Sequence, residues 1–180
     1  VFATGGIGGV HRGYARTPDI SSDLRALAEF PVAVVCAGAK SILDIPATLE
    51  VLETLGVPVV GYRASTFPLF YAASSQIQLE DTFDDVGRLA RFVNVHLGLG
   101  RGGVLVVTPV PEEQALGREE LDEWTARALE DAARAHVYGK KVTPFLLQRL
   151  EELSHGKTLG ANRALILNNV RLAAQLAARL

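Results

Sequence analysis

Three short apolar runs constrain this chain more than anything else in it: Val32 to Cys36, Gly56-Val-Pro-Val-Val-Gly61 and Gly103-Val-Leu-Val-Val-Thr108. Each is β-branched, too short for a helix and without the polar alternation of a half-exposed strand. Such runs are strands buried on both faces. Helical periodicities lie between them. Leu49, Leu52 and Leu55 form one stripe, and Val86, Leu89, Ala90, Val93 and Leu97 another, in a helix beginning at Thr82 or Asp84. Strand–helix–strand order makes the connections right-handed and the strands parallel. The predicted fold is therefore an α/β, three-layer α/β/α sandwich around a mostly parallel (mixed) central sheet, with Ile77 to Leu79 as an edge strand.

At 180 residues the chain is long enough for one well-cored domain, and no composition shift or repeat divides it. A net charge of −2 without a basic block argues against nucleic acid as a partner. No apolar run approaches a membrane span. The single cysteine, Cys36, allows no internal disulfide, which fits a reducing cytoplasm. There is no methionine, and the chain opens on the apolar Val1-Phe2. The expectation is a C-terminal portion, residues 1–180, of a longer protein.

The first apolar run leads into Ala37-Gly-Ala-Lys40 and then a helix start, where Ser41 and Asp44 have capping-box spacing and Pro46 fits the first turn. Lys40 thus stands at the carboxyl end of a central strand, where open α/β sheets place their ligands. A helix N-terminus and a dry setting both disfavour its ammonium form, and a lysine so tuned is a nucleophile toward carbonyl carbon. The alternative is a surface lysine whose stem covers apolar area.

Val1 to Gly13 holds five glycines in thirteen residues, the mark of a loop that approaches something closely or turns through positive φ. It matches neither the dinucleotide fingerprint nor a P-loop. His11 and Arg12 favour an anion near it. In Asp19-Ile-Ser-Ser-Asp-Leu24, Ser21 or Ser22 caps a helix ending near Phe30. Asp19 and Asp23 serve either as turn and cap residues or as part of a hard-cation or phosphate site. Further on, Arg118 to Val137 and a helix capped by Thr143 with Pro144 at its first position are amphipathic. The last helix, Leu159 to Leu180, carries Asn162, Asn168 and Asn169, which either face solvent or turn inward to hydrogen-bond.

Phe2-Ala-Thr-Gly-Gly-Ile-Gly-Gly-Val-His-Arg12, Asp19-Ile-Ser-Ser-Asp-Leu24 and Val34-Val-Cys-Ala-Gly-Ala-Lys-Ser-Ile-Leu-Asp44, in this order, are highly specific. Together with Gly56 to Tyr62, Phe67-Pro68 and Asn162 to Ala174, they resemble the pseudouridine-5′-phosphate glycosidase family, which includes the indigoidine-synthase-A-like proteins. The resemblance implies reversible hydrolysis of a C–C glycosidic bond to uracil and ribose 5-phosphate, with Lys40 forming an imine with the ring-opened sugar. It further implies a Mn2+ ion held by Asp19 and water. Substrate would be bound by Ser21, Ser22, Asp23, Thr4, His11 and Asn162, with Asn168 and Asn169 competing for the last role. An acidic proton donor and a further lysine are expected on a part of the protein outside these residues, and the assembly is expected to be a homotrimer. Two other readings stand beside this one. The first is a lysine-dependent, aldolase-like lyase on another sugar phosphate; the second is a non-catalytic sugar-phosphate-binding module.

Overall fold

A computed structural model of the chain describes residues 1–15 and 18–180. Its elements in order are β1 (Phe2–Ala3), β2 (Val10–His11), α1 (Ser22–Glu29), β3 (Ala33–Cys36), β4 (Leu43–Asp44) and α2 (Ile45–Thr54), followed by β5 (Val59–Tyr62), β6 (Asp81–Phe83), α3 (Val86–Gly98), β7 (Val104–Val107), α4 (Arg118–Arg134), α5 (Val142–Leu153) and α6 (Lys157–Ala177). Five strands form one sheet in the order β1-β3-β7-β5-β6, every pair parallel, and β2 and β4 form a small antiparallel hairpin.

The two central strands, β3 and β7, are buried along their whole length, as their apolar runs require. Because strand side chains alternate, each run feeds two cores. Ala33, Val35, Val104 and Val106 pack on one face with α3 and with Leu172, Ala173 and Leu176 of α6. Val34, Cys36, Leu105 and Val107 pack on the other with Leu24 and Leu27 of α1, Leu52 of α2, and Leu121, Leu146 and Leu150 of α4 and α5. Helices on both faces of a parallel sheet give the α/β three-layer architecture. The long α6 serves both cores, since Ala161 and Leu165 near its start join the second.

Several boundaries differ from the sequence expectation. The cap of α2 is Asp44, whose side chain accepts from the Ala47 amide, and Ser41 lies upstream of the helix with its hydroxyl buried. The edge strand is β6 instead of residues 77–79, where Gln78 makes only an isolated bridge to Thr66. Thr82 therefore belongs to a strand, and Asp85 caps α3. Strand β5 starts after Pro58, which has no N–H to offer a ladder. Thr143 lies inside α5, which begins at Val142, and α6 begins at Lys157 behind a left-handed Gly156. The glycine-rich opening contains β1 and β2 as well as a loop.

Candidate active site

The β1–β3 pairing does not stop where the strands end. Thr4 N donates to Val35 O (3.0 Å), Ala37 N to Gly5 O (2.9 Å), Ile7 N to Gly38 O (3.0 Å) and Lys40 N to Ile7 O (3.1 Å). The glycine loop is thereby fastened along Ala37–Lys40, and its carbonyls lie beside the lysine. Glycine is needed here for approach. A methyl on Gly6 would sit 2.6 Å from the Phe70 ring, one on Gly8 would overlap the Ser21 side chain, and one on Gly9 would overlap Thr48. Positive φ is required only further along, at Gly13, and across the loop at Gly38 (φ 81°), where a Cβ would also strike Pro68 O.

Ser21 caps α1 by accepting from Asp23 N at 3.2 Å, and Ser21 N donates to Gly9 O at 3.0 Å. The carboxylate of Asp23 turns back to accept from Gly8 N at 2.7 Å. Helix start and glycine loop are thus held to each other from both sides. Ser22 opens the helix with an exposed side chain.

Lys40 is half-buried, and its Nζ donates to Gly6 O at 3.1 Å. Burial lowers its pKa below the ordinary lysine value, partly offset by the negative charge of Asp23 and by Cys36. Cys36 is itself pushed up to about 12 by burial, so at neutral pH it is an uncharged thiol and Asp23 is the anion that Lys40 feels. The ammonium has one carbonyl as its hydrogen-bond partner, feels the charge of one carboxylate, and is partly withdrawn from water. That arrangement makes the amine easier to deprotonate than a solvated lysine.

Lys40, Thr4, Gly6, Ile7 and Asp23 line one part of a cleft of about 550 Å³, and Phe2, Leu27, Phe30 and Val34 are among the apolar residues lining the rest. Of the substrate residues that the family resemblance implies, Thr4 and Asp23 therefore share the cleft with Lys40. His11 and Asp19, neither of which lines that cleft, pair with each other: His11 N donates to Asp19 O at 3.0 Å, and His11 Nε2 lies 4.0 Å from Asp19 Oδ2. Among the described residues no group of three or more His, Cys, Asp or Glu side chains is placed to hold a metal. Asp19 thus supplies a partly exposed, single carboxylate. Arg12 turns away to donate to Ser41 O and Leu43 O, so its guanidinium is bound to backbone.

The three asparagines of α6 separate cleanly. Asn162 is half-buried, with Oδ1 against Gly5. Asn168 Nδ2 donates to Pro109 O at 3.2 Å. Asn169 is fully buried, and its Nδ2 donates to Thr4 O at 2.8 Å and to Gly5 O at 3.3 Å. Sequence reasoning gave Asn169 no distinct role. The signal was its position four residues from both Leu165 and Ala173, inside the apolar stripe.

Fold and site together define an α/β protein with a desolvated lysine at the end of a central parallel strand, roofed by a glycine-rich loop. The chain belongs to the indigoidine synthase A-like family, whose model matches residues 1–179. It is 54% identical over 178 residues to a pseudouridine-5′-phosphate glycosidase of Myxococcus xanthus, covering 98% of this chain and 59% of that protein. It is 51% identical over 181 residues to one from Geobacillus kaustophilus, covering 100% of this chain and 60% of that protein. The prealnumycin C-glycosynthase AlnA, solved in complex with ribulose 5-phosphate, superposes with a TM-score of 0.93 at 38% identity, over 100% of this chain and 60% of its own. An indigoidine synthase A-like protein of Thermotoga maritima gives 0.88 at 39% identity, over 98% of this chain and 58% of its own. The chain thus spans about 60% of the length of the relatives it matches.

Proposed function

We propose that the protein of which this chain is a part is a pseudouridine-5′-phosphate glycosidase that uses Lys40 as its nucleophile. The observation that carries the reading is Lys40 itself, desolvated at a strand end and facing a cleft with Thr4 and Asp23. A carbon–carbon glycosidic bond breaks only if both fragments have somewhere to put electrons and protons. Lys40 Nζ bonds to C1′ as the C1′–O4′ bond breaks; O4′ takes up a proton to become the hydroxyl of the opened sugar, and the nitrogen gives one up. The uracil carbon gains a proton, the C1′–carbon bond breaks with its electron pair kept by uracil, and the nitrogen lone pair forms the C1′ imine. Water then hydrolyses the imine to ribose 5-phosphate and free Lys40. The proton donor is assigned to the part of the relatives' length that this chain does not span.

In this reading Ser21, Ser22 and Asp23, at the start of α1, bind the ribose and phosphate, since hydroxyls and free amides at a helix N-terminus suit an anion. Thr4 and His11 complete that pocket, and Asn162 reads the base edge with an amide that can both donate and accept. Asp19 is a hard oxygen donor with room for water around it, which fits a Mn2+ ion mostly coordinated by water. Such an ion, when bound, would neutralise oxygen charge on the phosphorylated sugar. A cytoplasmic homotrimer is what the family resemblance supports.

The test is to incubate the full-length protein with ribose 5-phosphate and Mn2+, reduce with borohydride and map the mass gain. A sugar-phosphate adduct on Lys40, absent from Lys40→Ala, is the expected result. Its absence from folded, metal-loaded protein would overturn the imine. The likeness to a C-glycosynthase favours a second reading, the same lysine working toward bond formation on another aglycone. Release of uracil from pseudouridine 5′-phosphate supports the first. An adduct without uracil release supports the second, or a lyase acting on another sugar phosphate.

A further inference from the structure

In α6 the buried stripe runs Ala161, Leu165, Asn169, Leu172, Ala173, Leu176. One amide stands among apolar neighbours. Its donor side is used twice, on Thr4 O and Gly5 O, two successive carbonyls of the glycine loop. Its acceptor, Oδ1, is buried with no partner. Turning the amide over would set Oδ1 against those two carbonyls, so the orientation is determined. An asparagine with half its capacity unused is a poor way to stabilise a core. It is a good way to pull two peptide groups into line.

The next carbonyl along is Gly6 O, which accepts from Lys40 Nζ at 3.1 Å. We propose that Asn169 is a positioning residue: by gripping Thr4 O and Gly5 O it fixes the direction of the glycine loop, and so the seat of the Lys40 side chain in the cleft. Thr4 N and Ile7 N tie the loop to Val35 and Gly38 on its inner side, and Asn169 supplies the hold from α6. Asn169 does not line the cleft and touches no reacting atom. The proposal rests on the reading of Lys40 as nucleophile, and it concerns the state of that amine rather than the identity of the substrate.

The groups facing Lys40 electrostatically are Asp23 from α1 and Cys36 from β3. Asn169→Leu leaves both in place and removes only the grip on the loop. The experiment follows acylation of Lys40 by acetic anhydride against pH in the full-length protein, read by peptide mass mapping. In Asn169→Leu the labelling midpoint of Lys40 rises toward the ordinary lysine value of about 10.4, and its labelling at neutral pH falls several-fold. If the variant folds and the midpoint does not move, Asn169 is structural only and the proposal is overturned. Where a variant fails to fold, the wild type decides. The Asn169 side-chain amide protons, observed by NMR, shift as Lys40 titrates and with the same midpoint; amide signals indifferent to that titration overturn it. Neither readout needs glycosidase activity, so failure of the functional reading is seen separately, by the borohydride trap.

Discussion

The backbone amide of Gly8 donates to the Asp23 carboxylate at 2.7 Å, joining the glycine loop to the first turn of α1. The same carboxylate is the anion nearest in effect to Lys40. One contact therefore ties the loop to the group whose charge acts on Lys40.

Gly8→Ala places a methyl on the Ser21 side chain. Something must shift, and overpacking of this kind costs about 1–3 kcal/mol. We expect a loss of that size in urea denaturation, together with weaker sugar-phosphate binding measured by calorimetry. Gly56→Ala is the control, because a methyl there meets only open space and its cost is confined to the positive φ.

Lys40→Met tests the electrostatics. The folded pKa of Lys40 lies below its unfolded value, so between the two the unfolded chain binds more protons. Stability therefore rises with pH across that window, up to the ordinary lysine value of about 10.4. Below the folded pKa the burial penalty is fully present. The denaturation midpoint of wild type should climb relative to Lys40→Met as pH rises through this window; parallel profiles would mean that the lysine is not desolvated.

Lys40→Arg keeps a cation in the cleft but cannot form an imine. Binding of ribose 5-phosphate should persist while turnover in the full-length protein falls on the order of 10³-fold or more. Retained turnover would show that Lys40 is only a charge partner.

Capping supplies a fourth check. Asp44→Ala removes the side-chain acceptor from Ala47 N and should cost about 1 kcal/mol in thermal or chemical unfolding. Ser41→Ala deletes a buried hydroxyl that has no partner and should be neutral or slightly stabilising. The reverse ranking would restore the serine as the cap.

What could be read in advance was what neighbours in the chain determine. Strands β3 and β7 announced themselves as β-branched runs, and Ser21 or Ser22 as a cap before an apolar stripe, of which Ser21 is the one. The placement of Lys40 followed from the strand before it. Strand β1 could not be read, because a two-residue strand has no periodicity and exists through its pairing with Val34 and Val35. Strand β6 was missed because Asp-Thr-Phe at a sheet edge carries polar residues that an edge tolerates. Asp44 lost the cap to Ser41 on spacing alone, since β4 intervenes only through its hairpin with β2. The asparagines needed their partners to be known, and Pro109 and Thr4 are far away in sequence.

The bond from Asn169 to Thr4 joins residues 165 positions apart. During synthesis at about 5–20 residues per second, the loop exists for roughly ten to thirty seconds before the helix that grips it has been made. Its glycines, open carbonyls and neighbouring lysine must wait through that interval without their clamp. The site is therefore among the last parts of the chain to mature, and a chain interrupted late, within α6, would carry every residue of the lysine cleft and still lack its finished form.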